Sequence, residues 1–164
     1  MRPTNLGNRL VSRLCSVLLV CAATVASATV QMAPAEAATS GDKVRKAQRI
    51  ALKQRGDRYR YGAEGPQRFD CSGLVYFSLR RAGYDRVPRS SDAQADHARR
   101  IKKRNLRRGD LMFFHDRGDI YHVAIYIGRR DGQRRMVHAP STGKRVHVAT
   151  PWTSSWYAAT LRRR

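Results

Sequence analysis

Arg68-Phe69-Asp70-Cys71-Ser72-Gly73-Leu74-Val75 sets an acid and a cysteine at the start of an apolar run with helical spacing. Cys71, Val75 and Leu79 recur every four residues, and Leu74 and Phe77 flank that stripe, which predicts a helix with an apolar inner face. Asp70 stands where an N-cap belongs, because its carboxylate can accept a backbone N–H that the first turn leaves free. Cys71 then lies at the positive end of the helix dipole, a place that lowers a thiol pKa and favours the nucleophilic thiolate. A lone cysteine in a small domain serves equally well as a buried apolar filler. The residues on either side decide between these two readings.

Upstream, the first 37 residues stand apart from the rest of the 164. Arg2, Arg9 and Arg13 lead without an acid, Val17 to Val30 is apolar and uncharged, and Ala35-Glu36-Ala37 offers a small-x-small exit site. Together these predict a secretory signal peptide over residues 1–37, cut after Ala37, with a cut after Ala28 as the alternative. Its apolar core of about 14–16 residues is shorter than the ~20 that span a bilayer, so no transmembrane span is expected in the mature chain. Residues 38–164 form one expected domain, in which Cys71 is the sole cysteine because Cys15 and Cys21 leave with the leader. An odd cysteine in a secreted chain is an intermolecular linker or a reactive thiol.

The charge is the second strong signal. Lys and Arg number 33 against 12 acids, a net of +21, of which residues 38–164 carry +19. Such a field favours polyanions, and secretion makes an anionic cell wall or outer membrane face the expected partner. The run from Ile101 to Arg108 holds five cations but no interleaved aromatics, so it reads as a solvated face or an anion contact and no specific nucleic-acid binding is expected.

Taken in order, Lys43 to Arg55 carries Val44, Ala47, Ile50 and Ala51 on one face, an amphipathic helix capped by Ser40 or Asp42 and ended by Gly56. In Tyr59-Arg60-Tyr61-Gly62 the two tyrosines share a side if extended, lining a groove near Cys71 or covering a core edge. Ala82-Gly83 closes the cysteine helix, and Asp92 to Arg100 reads as a short polar helix capped by Ser90 or Ser91, with His97 on its surface. From Gly109 the period becomes two. Strands are expected at Asp110–His115, Tyr121–Ile127, Met136–Ala139 and Arg145–Ala149, with Ala158–Leu161 closing the set. Helices first and an antiparallel meander after is an α+β arrangement.

A nucleophilic cysteine needs a base and a third group that orients the base. His122 lies on the strand face opposite Val123, Ile125 and Ile127, and the small Ala124 leaves room beside it. His138 lies on the neighbouring strand, and the two rings can meet if directly opposite across the pair. One cysteine and two histidines also suit zinc. Close ligand spacing such as CxxC or HxxxH is missing, so no metal or other cofactor is expected. His115 beside a turn and His147 near a sheet edge read as surface residues.

Phe69-Asp70-Cys71-Ser72-Gly73-Leu74-Val75, then Gly109-Asp110-Leu111-Met112-Phe113-Phe114, then His122-Val123-Ala124-Ile125-Tyr126-Ile127-Gly128, then Val137-His138-Ala139-Pro140, resembles the NlpC/P60 family of papain-like cell-wall cysteine peptidases. The resemblance runs from about Lys43 to the end. It implies a papain-like fold, with N-terminal helices packed on an antiparallel sheet, as a catalytic domain over residues 38–164. It also implies Cys71 as nucleophile, His122 as base and His138 as the orienting residue. The implied substrate is a peptidoglycan stem peptide, commonly cut between D-γ-glutamate and a diamino acid such as meso-diaminopimelate. Tyr61 matches a substrate-groove aromatic, and Asp70 and Ser90 match positions that hold the free amine of the stem. Asp70 therefore has two expected jobs, cap and amine ligand. The oxyanion is expected to be held partly by the backbone N–H of Cys71.

Two departures stand out. Gly62-Ala63 replaces the usual Gly-Gly, and the Ile101–Arg108 tract is more basic than the family needs. Residues 38–164 leave no room for SH3-like or LysM wall-binding modules, so the basic surface is expected to bind anionic wall polymers instead. The alternatives are a non-catalytic, basic wall-binding protein on the same fold, or a thiol amidase or acyltransferase.

Overall fold

The computed structural model describes residues 38–163, and the signal peptide expected over residues 1–37 lies outside them. The first helix, α1, spans Ser40–Lys53 and buries Val44, Ala47 and Ala51. Thr39, not Ser40 or Asp42, is its cap. The Thr39 hydroxyl accepts the Asp42 N–H at 3.2 Å and donates to the Asp42 carboxylate at 2.6 Å, a reciprocal pairing that fixes the start one residue earlier. A short parallel pair follows, β1 (Arg58–Tyr59) with β2 (Arg68–Phe69). The cysteine helix, α2, spans Cys71–Ala82 with Asp70 as its cap, and Gly83 ends it in the left-handed conformation at φ 98°.

The next helix, α3, spans Ser91–His97 with Ser90 as its cap, and it stops three residues before the expected end at Arg100. Arg99–Ile101 instead forms β3, an edge strand antiparallel to β8 (Trp156–Thr160). The reason is tertiary: α3 buries only Gln94, so little holds a further turn, whereas β8 offers a backbone ladder to the three residues that follow Ala98.

The remaining strands are β4 (Leu111–Asp116), β5 (Asp119–Arg130), β6 (Gln133–His138) and β7 (His147–Ala149). The order across the sheet is β3-β8-β4-β5-β6-β7, antiparallel throughout. Thus β4 to β7 form the expected meander, and β8 returns to the far side of β4. Strand β5 does not end at Ile127 but runs on to Arg130, past a one-residue slip between Tyr126 and Gly128. Gly128 sits there at φ 116°, with the Arg108 side chain against it where a Cβ would be.

The sheet has two unlike faces. On one, Leu111, Phe113, Val123, Ile125 and Val137 join Ala47 and Ala51 of α1 and Leu74 and Leu79 of α2 in the main core. Each leucine, 1% exposed, contributes about 2 kcal/mol by burial. On the other face, Met112, Phe114, Ala124, Tyr126, Met136 and Trp156 form a smaller cluster. The Lys103 ammonium lies 4.2 Å and the Arg134 guanidinium 5.6 Å from the Trp156 ring, so cations cap that cluster. No helix among the described residues is long and apolar enough to cross a membrane.

Candidate active site

The site is assembled around the start of α2. The Asp70 N–H donates to the Ala63 carbonyl at 2.9 Å, which presses the Gly62-Ala63 loop against the first turn. A Cβ on Gly73 would stand 2.1 Å from that same carbonyl, so the close approach requires glycine at this place. The Asp70 carboxylate accepts the Gly73 N–H at 2.6 Å and the Gly62 N–H at 2.8 Å, tying helix and loop together. Arg89 donates to both Asp70 oxygens, at 3.1 and 2.8 Å, and its Nε meets Glu64 at 3.0 Å. A carboxylate has about four acceptor positions, and those of Asp70 are filled. The cap role is therefore what the fold uses. Arg89, 19 residues away in sequence, is the partner that the sequence reading missed.

Cys71 lies half-buried one residue after the cap. Burial pushes its thiol above the ordinary range, and Asp70 adds to that; the backbone N–H groups of Val123, Ser72 and Cys71 itself pull the other way. The thiolate expected at a helix start is thus overruled, because desolvation outweighs those N–H groups. The Val123 amide brings the sulfur against β5, next in sequence to His122. No hydrogen bond joins the sulfur to either imidazole among the described residues.

His122 Nε2 and His138 Nδ1 are 2.9 Å apart in a buried contact. The two residues are not directly opposite, as expected, but diagonal. Ile125 pairs with Val137, which sets Ala124 against His138 and leaves His122 two residues further along. Diagonal neighbours have backbones about 7–8 Å apart, within reach of rings that lean toward each other over a small residue. The rings meet edge to face, 5.1 Å between centroids. Trp152 stacks on Phe114 at 4.4 Å and covers both imidazoles, at 5.3 and 5.6 Å, so it shields their bond from water. No motif in the sequence points to Trp152.

Burial holds His122 down at about 4. It holds His138 down at about 3, with the nearby charges of His122, His147 and Lys144 adding to the effect. Both rings are therefore neutral at pH 7. If the bridging proton rides on His122 Nε2, then His122 Nδ1 is free to accept another, and the His138 proton sits on Nε2, which is buried without a hydrogen-bond partner. His147 is exposed, as expected of a surface residue, but it does more than face water: it stands directly opposite His138 with ring centroids 4.7 Å apart. Its Nδ1 lies 2.8 Å from the Arg145 carbonyl, and since a carbonyl only accepts, that nitrogen carries the proton. His115 lies half-buried, 6.0 Å from the Tyr157 ring, outside the pair.

The other expected residues are spread around this centre. Tyr61 is 87% exposed, whereas Tyr59 is half-buried in β1. Strand β1 ends at Tyr59, and Gly62 follows Tyr61 in the left-handed conformation at φ 75°. Ser90 is exposed, and its hydroxyl accepts the Ala93 N–H at 3.3 Å as the cap of α3. Among the described residues no group of three His, Cys, Asp or Glu side chains is placed to hold a metal ion.

A cysteine at a capped helix start, met by the strand amide that follows a histidine bonded to a second histidine, is the layout of the papain-like class. The chain belongs to the NlpC/P60 family, whose model matches residues 56–164. Among curated relatives it is 32% identical to the murein DD-endopeptidase MepH of Escherichia coli (strain K12), over 70% of this chain and 44% of that one. It is 34% identical to the gamma-D-glutamyl-L-lysine dipeptidyl-peptidase of Bacillus subtilis (strain 168), over 56% of this chain and 30% of that one. The chain thus spans less than half the length of these relatives. Among solved structures it superposes on RipD of Mycobacterium tuberculosis, a non-catalytic NlpC/p60 domain protein adapted to peptidoglycan binding. The TM-score is 0.60 at 25% identity, over 73% of this chain and 97% of that one.

Proposed function

We propose that the protein is a secreted, cell-wall-associated peptidoglycan endopeptidase, with residues 1–37 as its leader and 38–164 as its catalytic domain. The observation that carries this is the His122–His138 bond, 2.9 Å long and buried, beside a capped helix that starts with Cys71. In the reaction, His122 Nδ1 takes the Cys71 proton as the sulfur attacks the scissile carbonyl. His138 fixes the tautomer and orientation of His122. The backbone N–H of Cys71 holds the oxyanion, and His122 returns its proton to the leaving amine. Water then cleaves the thioester. No cofactor is needed for these steps.

The substrate is a stem peptide, cut between D-γ-glutamate and meso-diaminopimelate. MepH is named a murein DD-endopeptidase and the Bacillus relative a gamma-D-glutamyl-L-lysine dipeptidyl-peptidase, so the named bond differs between relatives. Tyr61 is free to cover the stem. Ser90 and Asp70 hold its free amine, and for Asp70 this requires Arg89 to release one bond; Glu64, half exposed on the same guanidinium, is the carboxylate that faces solvent. The basic surface adds attraction to anionic wall polymers, and that binding falls steeply by 0.5 M salt, where screening shortens to a few ångströms.

The RipD precedent keeps a second reading in play, a non-catalytic wall-binding protein. Intact Cys71, His122 and His138 count against it, since binding needs none of the three. A digest of meso-diaminopimelate peptidoglycan, read by mass spectrometry beside Cys71→Ala, tests the choice. Fragments ending in D-glutamate, absent with the variant, are expected. Cleavage at a cross-link or at the sugar–peptide amide would reassign the bond, the latter to an amidase. Binding without any cleavage of wall or stem peptides would overturn the endopeptidase.

A further inference from the structure

At the opposite end of α2 from Cys71 lies a cleft of about 990 Å³, walled by the start of α1, the Gly83–Arg86 segment, β3 and the Leu161–Arg163 tail. Twelve helical residues at ~1.5 Å each set it about 16–18 Å from the cysteine, so it is separate from the site described above. Lys43, Arg86, Arg99, Arg162 and Arg163 line it, and Asp85 is the one acid among the lining residues. Two of these cations are engaged in the fold. Arg162 bonds Asp110 at 2.7 Å and the Arg108 carbonyl at 2.6 Å, and Lys43 bonds the Gly83 carbonyl at 2.8 Å. Arg86, Arg99 and Arg163 are exposed and form no salt bridge with a carboxylate among the described residues.

The walls that carry them are pinned. The Arg163 N–H donates to the Ser40 hydroxyl at 2.8 Å, and the Tyr84 hydroxyl bonds the Ser40 and Leu161 carbonyls at 3.0 and 3.2 Å. Three guanidinium groups with no salt bridge among the described residues thus project from fixed backbone around one concavity, where low-dielectric walls focus their field. We propose that this cleft is a docking site for a flexible phosphodiester chain of the polyol-phosphate kind, which anchors the protein to the wall while the other end of α2 works.

The chemistry favours that occupant. Planar guanidinium forks match phosphate oxygens in pairs, and the cleft has room for several units rather than one ion. Two rings line it: Tyr84 is half-buried with its hydroxyl engaged, and His97 stands alone at the end of α3, so successive bases find no row of stacking platforms as in a single-strand binder. A flat lipid surface would meet a concave wall without the apolar face that inserts into a membrane. The choice of a wall polymer, and only that choice, rests on the proposed location outside the cell.

The test is binding of the whole protein to labelled poly(glycerol phosphate) at 0.1 M salt. Arg86→Ser/Arg99→Ser/Arg163→Ser is compared with an equal charge loss elsewhere, Arg117→Ser/Arg129→Ser/Arg130→Ser. The cleft variant is expected to bind about tenfold or more weakly and the control within about twofold. Equal losses, or no binding by the parent, would overturn the proposal, as would tighter binding to oligo-dT or to anionic phospholipid vesicles. Hydrogen exchange gives a readout independent of any variant. Polymer should protect Gly83–Arg86 and Leu161–Arg163 but not the Arg129–Gly132 hairpin, and the reverse pattern would sink the cleft. Hydrolysis of a soluble stem peptide should be unchanged in the cleft variant. A parent that binds polymer but cuts no stem would overturn the endopeptidase and leave the cleft standing.

Discussion

The two ends of α2 hold arginine in opposite states. At the N-terminal end Arg89 spans two carboxylates, Asp70 and Glu64, and reaches the Ser72 hydroxyl at 3.0 Å. At the C-terminal end Arg86, Arg99 and Arg163 crowd one cleft with a single acid beside them. The first arrangement is part of the scaffold, since it neutralises a buried cap and closes the loop over the cysteine. The second brings like charges together with no salt bridge among the described residues to offset them. The net charge of +19 on residues 38–164 is therefore not one property: some of it is built into the fold, and some stands ready for a ligand.

The largest effect expected is at the scaffolded end. Cys71→Ala should lower stem-peptide hydrolysis by about 10³-fold or more, because no other group in the site can form the thioester. Polymer binding at the far end should not change, and affinity measured on the same sample checks this. Retained hydrolysis would remove the cysteine from the chemistry; lost binding would mean the two ends are one site.

Next in size is Arg89→Met. It strands the Asp70 carboxylate, whose side chain is only 9% exposed, and breaking a buried pair in this way costs roughly 3–5 kcal/mol. Arg89 itself is 33% exposed, so water can replace part of its role and about 2–3 kcal/mol is expected from denaturant midpoints. Replacing Asp70 as well, in Asp70→Asn/Arg89→Met, should recover part of the loss. If Arg89→Met is neutral, the paired end is no more structural than the unpaired one.

Much of this end was legible before any coordinates. The four-residue apolar period, the acid before Cys71 and the glycine after Ala82 are local signals, and they place α2 and both its ends. The alternation around His122 and His138 gives their common face. What escaped depends on partners distant in sequence. Arg99–Ile101 is a strand only because β8 lies beside it. The diagonal register of His122 and His138 is a matter of which residues the β5–β6 ladder pairs, and no local signal sets that pairing. Arg89 and Trp152 carry no motif, and their contacts exist only after the chain has closed. The thiol expectation differs for the same reason: helix geometry is local, whereas the burial that pushes the thiol up is tertiary.

A pH titration separates the ends again, at smaller scale. His122 and His138 are held at about 4 and about 3 in the folded protein, below the ordinary value near 6.5, because burial opposes their charge. Below pH 6.5 the unfolded chain takes up protons that the native site refuses, so stability is full above 6.5 and falls as the pH drops toward the folded values. The slope is about 1.4 kcal/mol per pH unit for each histidine. Thermal melts from pH 7.5 to 4.5 check it. His138→Asn should flatten the curve, whereas the serine triple in the cleft should leave its shape unchanged. A flat parent curve would mean that the two rings are charged in the native state.

The smallest effect carries the sharpest information, because its sign is opposite. Arg86→Ser/Arg99→Ser/Arg163→Ser removes three exposed cations that form no salt bridge among the described residues, and it relieves repulsion within one concavity. At low ionic strength it should leave stability unchanged or raise it by a few tenths of a kcal/mol, the scale of exposed charge interactions. In 0.5 M salt the gain should vanish, since screening then acts over only a few ångströms. Adding the polymer should reverse the order, because a ligand that binds only the folded state stabilises the parent and not the variant. Denaturant midpoints at two salt concentrations, with and without polymer, read all of this from one pair of proteins. A loss above about 1 kcal/mol without polymer would show these arginines to be scaffold like Arg89, and the contrast between the two ends of α2 would be gone.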